Sequence, residues 1–395
     1  MKKTIISLFI IFFILFSSSL NATADDEFGT TSIHGFISQG YLVSDDHEFY
    51  SADTDSGTFE FNEIGINFLT TLNDNLRLGL QLLARDLGEF GNDEVTIDWA
   101  YADYRFRNWL GLRVGKVKAP NGLYNQSRDI DAARTTIFLP SGLYSENFRE
   151  AQLVSKGFAL YGNLPGHIEY LFVYGVFDVP LDGWIVSKVD GTQPGLKTAS
   201  VKVDPGYNGA LVWETPLEGL RIGATGSKYK MIHDLELLNI SIPLPLDLAV
   251  EGQFVIGSIE FLYSDFIISA EYKVQRTKIY LSGNKVRDVE LEDAYVMASY
   301  RFTDWFELGT YFSWHFEDRN DRNGKEAVAK GFTAFKEQGW LKDFAVTTRF
   351  DIYNSWILKL EVHVMNGLAD IEYKASDPSP DATWMLYAAK LSYSF

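Results

Sequence analysis

The chain has 395 residues, no cysteine, and 53 acidic side chains against 35 basic ones, a formal charge of −18. The missing thiols exclude disulfides, thiol catalysis and cysteine-held metals, and the acidic excess argues against nucleic acid, whose phosphates attract lysine and arginine. Aromatic residues make up 15% of the chain, yet beyond the N-terminus no apolar run approaches the roughly 18 residues that a membrane helix needs.

The N-terminus comes first. Lys2 and Lys3 precede the apolar run Ile5 to Phe16, followed by Ser17 to Leu20 and the small-residue exit Ala22-Thr23-Ala24. These are the three parts of a secretory signal peptide. Residues 1–24 are therefore expected to be removed, leaving a mature chain of residues 25–395. Loss of Lys2 and Lys3, two positive charges, takes the formal charge from −18 to −20.

The mature chain reads as one unit of sixteen amphipathic stretches. Leu76, Leu78, Leu80 and Leu82 alternate with Arg77, Gly79 and Gln81, and Trp356, Leu358, Leu360, Val362 and Val364 alternate with Ile357, Lys359, Glu361 and His363. Period-two alternation puts these sets on opposite faces of a strand. In hydrocarbon every backbone polar group must be paired within the protein, so apolar-faced strands of about 9 to 11 residues imply a closed transmembrane antiparallel barrel, all-β in class. In the second half of the chain the stretches centre on Tyr207 to Trp213, Leu220 to Tyr229, Phe254 to Tyr263, Phe266 to Val274 and Tyr295 to Phe302.

The connections alternate in length. Asn73 to Asn75, Asn108-Trp109, Asn163 to Gly166, Thr215 to Gly219, Ser264-Asp265, Thr303 to Trp305 and Asn354-Ser355 are short and rich in turn formers, and are assigned to the periplasmic side. The other connections are longer and polar and are expected outside. The longest, 118–150, carries the apolar core Thr136-Ile137-Phe138-Leu139-Pro140. An apolar core in an exposed loop implies that it packs against something.

A sixteen-stranded barrel is too wide for its wall side chains to fill, so this loop is the candidate constriction. Opposite it, Arg77, Arg85, Arg105 and Arg113 share inward parity on three neighbouring strands, with Lys116 and Lys118 beyond them. One reading is a basic ladder facing Asp129, Asp131, Glu146 and Glu150 across the pore, a transverse field that orients charged solutes. The other is local pairing of these arginines with Asp98 or Asp103. The fourth strand changes parity between Tyr101 and Tyr104, which places a bulge near Ala102; without it Arg105 points outward.

The closing stretch alternates Met385, Tyr387, Ala389, Leu391, Tyr393 and Phe395 with Lys390, Ser392 and Ser394, and the chain stops on Phe395. This end resembles the C-terminal assembly signature of bacterial outer-membrane barrels, carried here by Tyr393 and Phe395. The exit Lys118-Ala119-Pro120-Asn121-Gly122 resembles the fifth-strand exit and third external loop of trimeric bacterial porins, with some similarity to phosphate-selective members. It lacks the Pro-Glu-Phe-Gly motif of enterobacterial general porins. The resemblance implies a Gram-negative outer-membrane porin: a homotrimer among lipid and lipopolysaccharide, passively passing small hydrophilic solutes, with loop 3 folded into the pore. An anion-selective porin for phosphate or carboxylates is the alternative reading, and a barrel hydrolase or surface receptor a remote one.

No catalytic residue, cofactor or resident metal is expected. The six histidines, His34, His47, His167, His233, His315 and His363, match neither His-Glu-x-x-His nor a Gly-x-Ser-x-Gly elbow. The cluster Glu317 to Asn323 could hold a divalent cation through its oxygens, but it interleaves acids with Arg319 and Arg322, and a solvated external loop is the preferred reading.

Overall fold

The computed structural model describes residues 29–50, 53–88, 91–192, 195–238, 246–353, 355–371 and 380–395. The expected leader, residues 1–24, lies outside the described residues.

Alternation becomes architecture directly. Among the described residues the strands are β1 (Thr30–Ser44), β2 (Phe61–Asn73), β3 (Leu76–Leu87), β4 (Thr96–Arg107), β5 (Leu110–Lys118), β6 (Val154–Leu164), β7 (Ile168–Val176), β8 (Leu196–Glu214), β9 (Leu220–Leu237), β10 (Leu246–Tyr263), β11 (Phe266–Leu281), β12 (Asn284–Thr303), β13 (Phe306–Phe316), β14 (Trp340–Tyr353), β15 (Trp356–Gly367) and β16 (Thr383–Ser394). Each pairs antiparallel with its chain neighbours, and β1 pairs with β16 to close a sixteen-stranded barrel. The seam ends on reciprocal hydrogen bonds of 3.0 Å, Gly35 N–H to Phe395 O and Phe395 N–H to Gly35 O. Closure removes the sheet edge that would otherwise present unpaired backbone groups.

The wall is inside out by the standards of a water-soluble protein. On β15, Leu360, Val362 and Val364 are 45%, 37% and 42% exposed, whereas Lys359, Glu361 and His363 are at most 1% exposed. Lipid explains the apolar outer face. Exposed aromatics collect at the short-turn end, with Trp109, Tyr263, Trp305 and Tyr353 beside the turns they flank, as expected of an interfacial girdle.

Two sequence expectations need correction. β8 to β12 run 16 to 20 residues, well past the centres read from the alternation. Backbone pairing continues beyond those centres, and the extensions carry a buried apolar cluster of their own, with Met231 of β9 and Val250 of β10 packed among Val201, Val203, Leu248 and Ile279. The connection from β11 to β12 is accordingly a tight hairpin, not a long external loop: Ser282 and Gly283, at φ 45° and 79°, join Leu281 to Asn284. Two left-handed residues in succession suit the twist of a two-residue hairpin.

The β4 bulge lies at Asp98, not Ala102. Gln81 pairs with Trp99 and Leu82 with Ile97, leaving Asp98 extra; a second irregularity falls between Arg105 and Arg107. The Asp98 carboxylate thereby turns inward to accept from Gln81 Nε2 at 2.9 Å. Trp99, Tyr101, Asp103 and Arg105 then share the inner face.

This architecture predicts heat-modifiable migration on a denaturing gel and β-dominated circular dichroism for the purified chain. A helix-dominated spectrum would contradict it.

Candidate functional site

The segment that links β5 to β6, 119–153, reaches strands far round the barrel. Tyr124 Oη donates to Glu260 of β10 at 2.7 Å, and Leu123 N–H and the Tyr144 hydroxyl both donate to Glu271 of β11. Thr135 donates to Glu307 of β13. Ile137 and Phe138 N–H donate to the two oxygens of Glu361 on β15, at 2.8 and 3.0 Å. All four carboxylates occupy inner-face positions.

Apolar packing accompanies these bonds. Ile137 and Phe138 are buried with Phe49, Phe61, Met365 and Trp384, and Phe138 stacks on Phe61 with centroids 5.3 Å apart. Leu139, Leu143 and Tyr144 pack on Phe254, Ile256 and Tyr295. The apolar core Thr136 to Pro140 thus has its partners on the inner wall and in the 45–60 connection.

The anchor of the segment is Asp131. Its carboxylate lies 2.8 Å from Lys390 Nζ, 3.9 Å from Lys359 Nζ and 3.2 Å from Arg134 Nη2, and accepts from Ser392 Oγ at 2.7 Å. Lys359 also donates to the Asp131 and Thr136 carbonyls at 2.8 and 3.0 Å. Burial alone would raise the Asp131 carboxyl, but the Lys390, Lys359 and Arg134 charges outweigh it and hold it well below the usual carboxylate range.

The predicted ladder divides into separate groups. Arg85 Nη1 binds Glu146 at 2.7 Å and its Nη2 binds Glu150 at 3.3 Å, so one wall arginine does meet loop carboxylates. Glu146 is shared with Arg128 at 2.7 Å. Asp129 binds Lys118 at 2.9 Å and Arg149 at 2.6 Å, and Arg149 also meets Asp98 at 3.4 Å. Asp129 and Asp131 therefore do not face Arg77 and Arg113, which corrects that pairing.

The local alternative holds for those two arginines. Asp103 is directly opposite Arg77 in the β3–β4 register and opposite Arg113 in the β4–β5 register. The carboxylate is 3.1 Å from Arg77 and 3.5 Å from Arg113, and accepts from Tyr161 Oη at 2.5 Å. The Arg113 and Arg105 guanidinium groups lie 4.4 and 5.9 Å from the Tyr161 ring centroid. Arg105 keeps its inward parity because the bulge precedes it.

Lys116 is also corrected. It pairs with Ala100, on the face opposite to Arg113, and its Nζ donates to the Ile97 carbonyl at 2.7 Å. At the seam, Tyr393 packs on Trp356 at 4.9 Å and on Phe395 at 6.1 Å. Sequence reasoning missed Glu260, Glu271, Glu307, Lys359, Glu361 and Lys390, wall groups that receive the segment. Their inward parity was visible, but no local signal names their partners.

The whole barrel can now be set beside known structures. The outer-membrane protein OmpT of Vibrio cholerae matches with a TM-score of 0.57 at 12% identity, covering 94% of this chain and 99% of that one. Salmonella typhi OmpF, in a complex with daunomycin, matches at 0.60 and 11%, covering 94% and 99%. An anion-selective porin from Comamonas acidovorans matches at 0.55 and 12%, covering 93% and 99%. This is the porin fold. No protein-family model and no curated protein sequence matches the chain, so the likeness rests on shape.

Proposed function

We propose that the chain is an outer-membrane porin, a water-filled channel through which small hydrophilic solutes and ions diffuse passively, with the 119–153 segment as its constriction. The observation that carries this is an inner wall that the segment spans without filling. The segment packs both on the β1, β2 and β14 to β16 side and on β10 to β12, and a cavity of about 160 Å³ remains between its Asn121, Ser145 and Gln152 and the wall residues Asn208, Ser227, Lys273 and Asp293. A second cavity of about 590 Å³ lies at the loop end. Polar walls with residual space favour passage of water and ions over chemistry. His363 is bound on both ring nitrogens, Nδ1 to Asp343 and Nε2 to Glu361 of the wall, a structural use of imidazole that supports a non-enzymatic reading. A homotrimer in lipid and lipopolysaccharide completes the proposal.

An anion preference is the second reading, favoured by charge at the short-turn end. Three inner-face guanidinium groups, Arg77, Arg105 and Arg113, surround the single carboxylate Asp103, an excess of positive charge. The test is stepwise conductance in a planar bilayer, with the reversal potential measured across a salt gradient. Arg77→Gln with Arg113→Gln is expected to shift selectivity toward cations, most clearly in dilute salt, where the Debye length grows from about 10 Å at 0.1 M to about 30 Å at 0.01 M. A preparation of folded barrels that passes no current would overturn the porin reading, and an unchanged reversal potential would remove the anion preference.

A further inference from the structure

We propose that His315, Glu317 and Asp370 form a site for a divalent transition metal such as Zn²⁺ at the loop end of the barrel, with the Lys188 ammonium group standing in for the cation when no metal is bound.

The three groups come from two places in the chain. His315 is on β13, Glu317 follows the end of that strand, and Asp370 is in the connection from β15 to β16. One ligand atom from each lies within 4.8 Å of the others. A metal about 2.0 to 2.2 Å from each nitrogen or oxygen holds such atoms roughly 3 to 4 Å apart, so closing the site takes side-chain shifts of about 1 Å.

The present arrangement satisfies the carboxylates but not the imidazole. Lys188, on the short helix Trp184–Thr192, places Nζ 3.3 Å from Glu317 Oε1 and also binds Asp370. His315 is 8% exposed, and among the described residues its Nε2 has no hydrogen-bond partner; it stands 3.8 Å from Glu317 Oε1. A buried nitrogen without a partner is uncommon. An ammonium ion can neutralise two carboxylates, but it offers nothing that completes all three groups at once. A metal ion does.

The other imidazole nitrogen is already prepared. His315 Nδ1 is 2.5 Å from Asp293 Oδ1, and Asp293 Oδ2 is 3.2 Å from Lys273. A carboxylate behind a histidine fixes the ring and leaves Nε2 as the lone-pair donor, the outer-shell arrangement found at metal sites. One nitrogen with two carboxylate oxygens favours Zn²⁺, Cu²⁺ or Ni²⁺ over Mg²⁺ and Ca²⁺, which take oxygen ligands.

The position gives the site a consequence. Lys188, Glu317 and Asp370 line both cavities, the inner one of about 160 Å³ and the outer one of about 590 Å³. Metal binding displaces Lys188 from between its two carboxylates, and so alters the boundary between the cavities. Only this last step rests on the porin reading; binding itself does not.

The test is isothermal titration of ZnCl₂ into the full mature protein in detergent, with unboiled gel mobility confirming that each variant is folded. The wild type is expected to bind one Zn²⁺ per chain, with no heat from MgCl₂ under the same conditions. His315→Asn is expected to weaken binding at least tenfold. Lys188→Ala is expected to tighten it by about tenfold, because the metal no longer competes with an internal cation. Lys188 is half-exposed, so this variant leaves the barrel intact. Absence of Zn²⁺ binding to the wild type, equal affinity in folded His315→Asn, or weaker binding in Lys188→Ala would each overturn the site. Loss of conductance in all variants alike would bear on the porin reading instead.

Discussion

Asp131→Asn is expected to release the 119–153 segment from the inner wall while the barrel stays closed. The substitution removes the charge shared by Lys390, Lys359 and Arg134, and both lysine side chains are only 1% exposed. Breaking a buried charge cluster by removing one partner costs about 3 to 5 kcal/mol. Lys390 retains Glu63 at 2.5 Å and Lys359 retains two carbonyls, so the lower end, about 3 kcal/mol, is the appropriate magnitude. With 1.4 kcal/mol per factor of ten, the released population rises roughly a hundredfold.

Two measurements follow from that shift. Limited proteolysis of the folded variant is expected to cut within 119–153 far faster than in the wild type, and single-channel conductance is expected to rise. The contribution of the Asp131 carboxylate itself is expected to stay constant between pH 8 and 5. The Asp131 carboxyl is depressed on folding, so its contribution is fully present above the unfolded value of about 3.9 and is lost only as pH falls below that toward the folded value. Wild-type cleavage and conductance in Asp131→Asn would show that the segment is held without this cluster.

The parts of this molecule that were legible in the sequence are those set by a repeating local rule. Lipid on one side and polar groups on the other impose a period of two, and Trp356 to Val364 displays it over nine residues; short turns rich in Asn and Gly then fix which strands are neighbours. Where the rule lapses, so does legibility. The continuations of β8 to β12 carry only an intermittent apolar pattern, and the β8–β9 and β11–β12 ladders shift register within them; the hairpin at Ser282-Gly283 looked like part of a longer loop.

The candidate site was legible to the extent that it depends on strand register. Asp103 pairing with Arg77 and Arg113 follows from which residues lie directly opposite, and this was one of two readings available from parity alone. Glu146 meeting Arg85 was visible as a combination of charges. By contrast, the choice of Lys390 and Lys359 by Asp131, and of Glu361 by the Ile137 and Phe138 amides, depends on how the loops and short helices of 119–153 fold back. Backbone amides have no sequence signature as donors, and burial of lysine has none either. The apolar stretch Thr136 to Pro140 announced that the segment packs, not where.

Deletion of Phe395 is expected to reduce the folded barrel in the outer-membrane fraction by about tenfold or more, and Gly35→Val is expected to do the same with the terminus intact. The two residues close the seam together. Deletion removes the Phe395 N–H bond to Gly35 O and displaces the carbonyl that accepts from Gly35 N–H. Two hydrogen bonds at about 1 kcal/mol each already exceed the 1.4 kcal/mol of a tenfold change, before the contact of the ring is counted. At Gly35 a Cβ would stand 2.5 Å from the Phe395 ring and 2.8 Å from the Gly65 carbonyl oxygen. The ring could move, but the β2 backbone on the other side cannot yield without loosening the β1–β2 ladder. Gly35→Val therefore tests the seam separately from recognition of a terminal phenylalanine, because it leaves Tyr393 and Phe395 in the chain. The amount of heat-modifiable protein in isolated outer membranes measures both. Wild-type amounts in the deletion would contradict a role for Phe395 in assembly. Wild-type amounts in Gly35→Val alone would place that role in recognition of the terminus and not in packing of the seam.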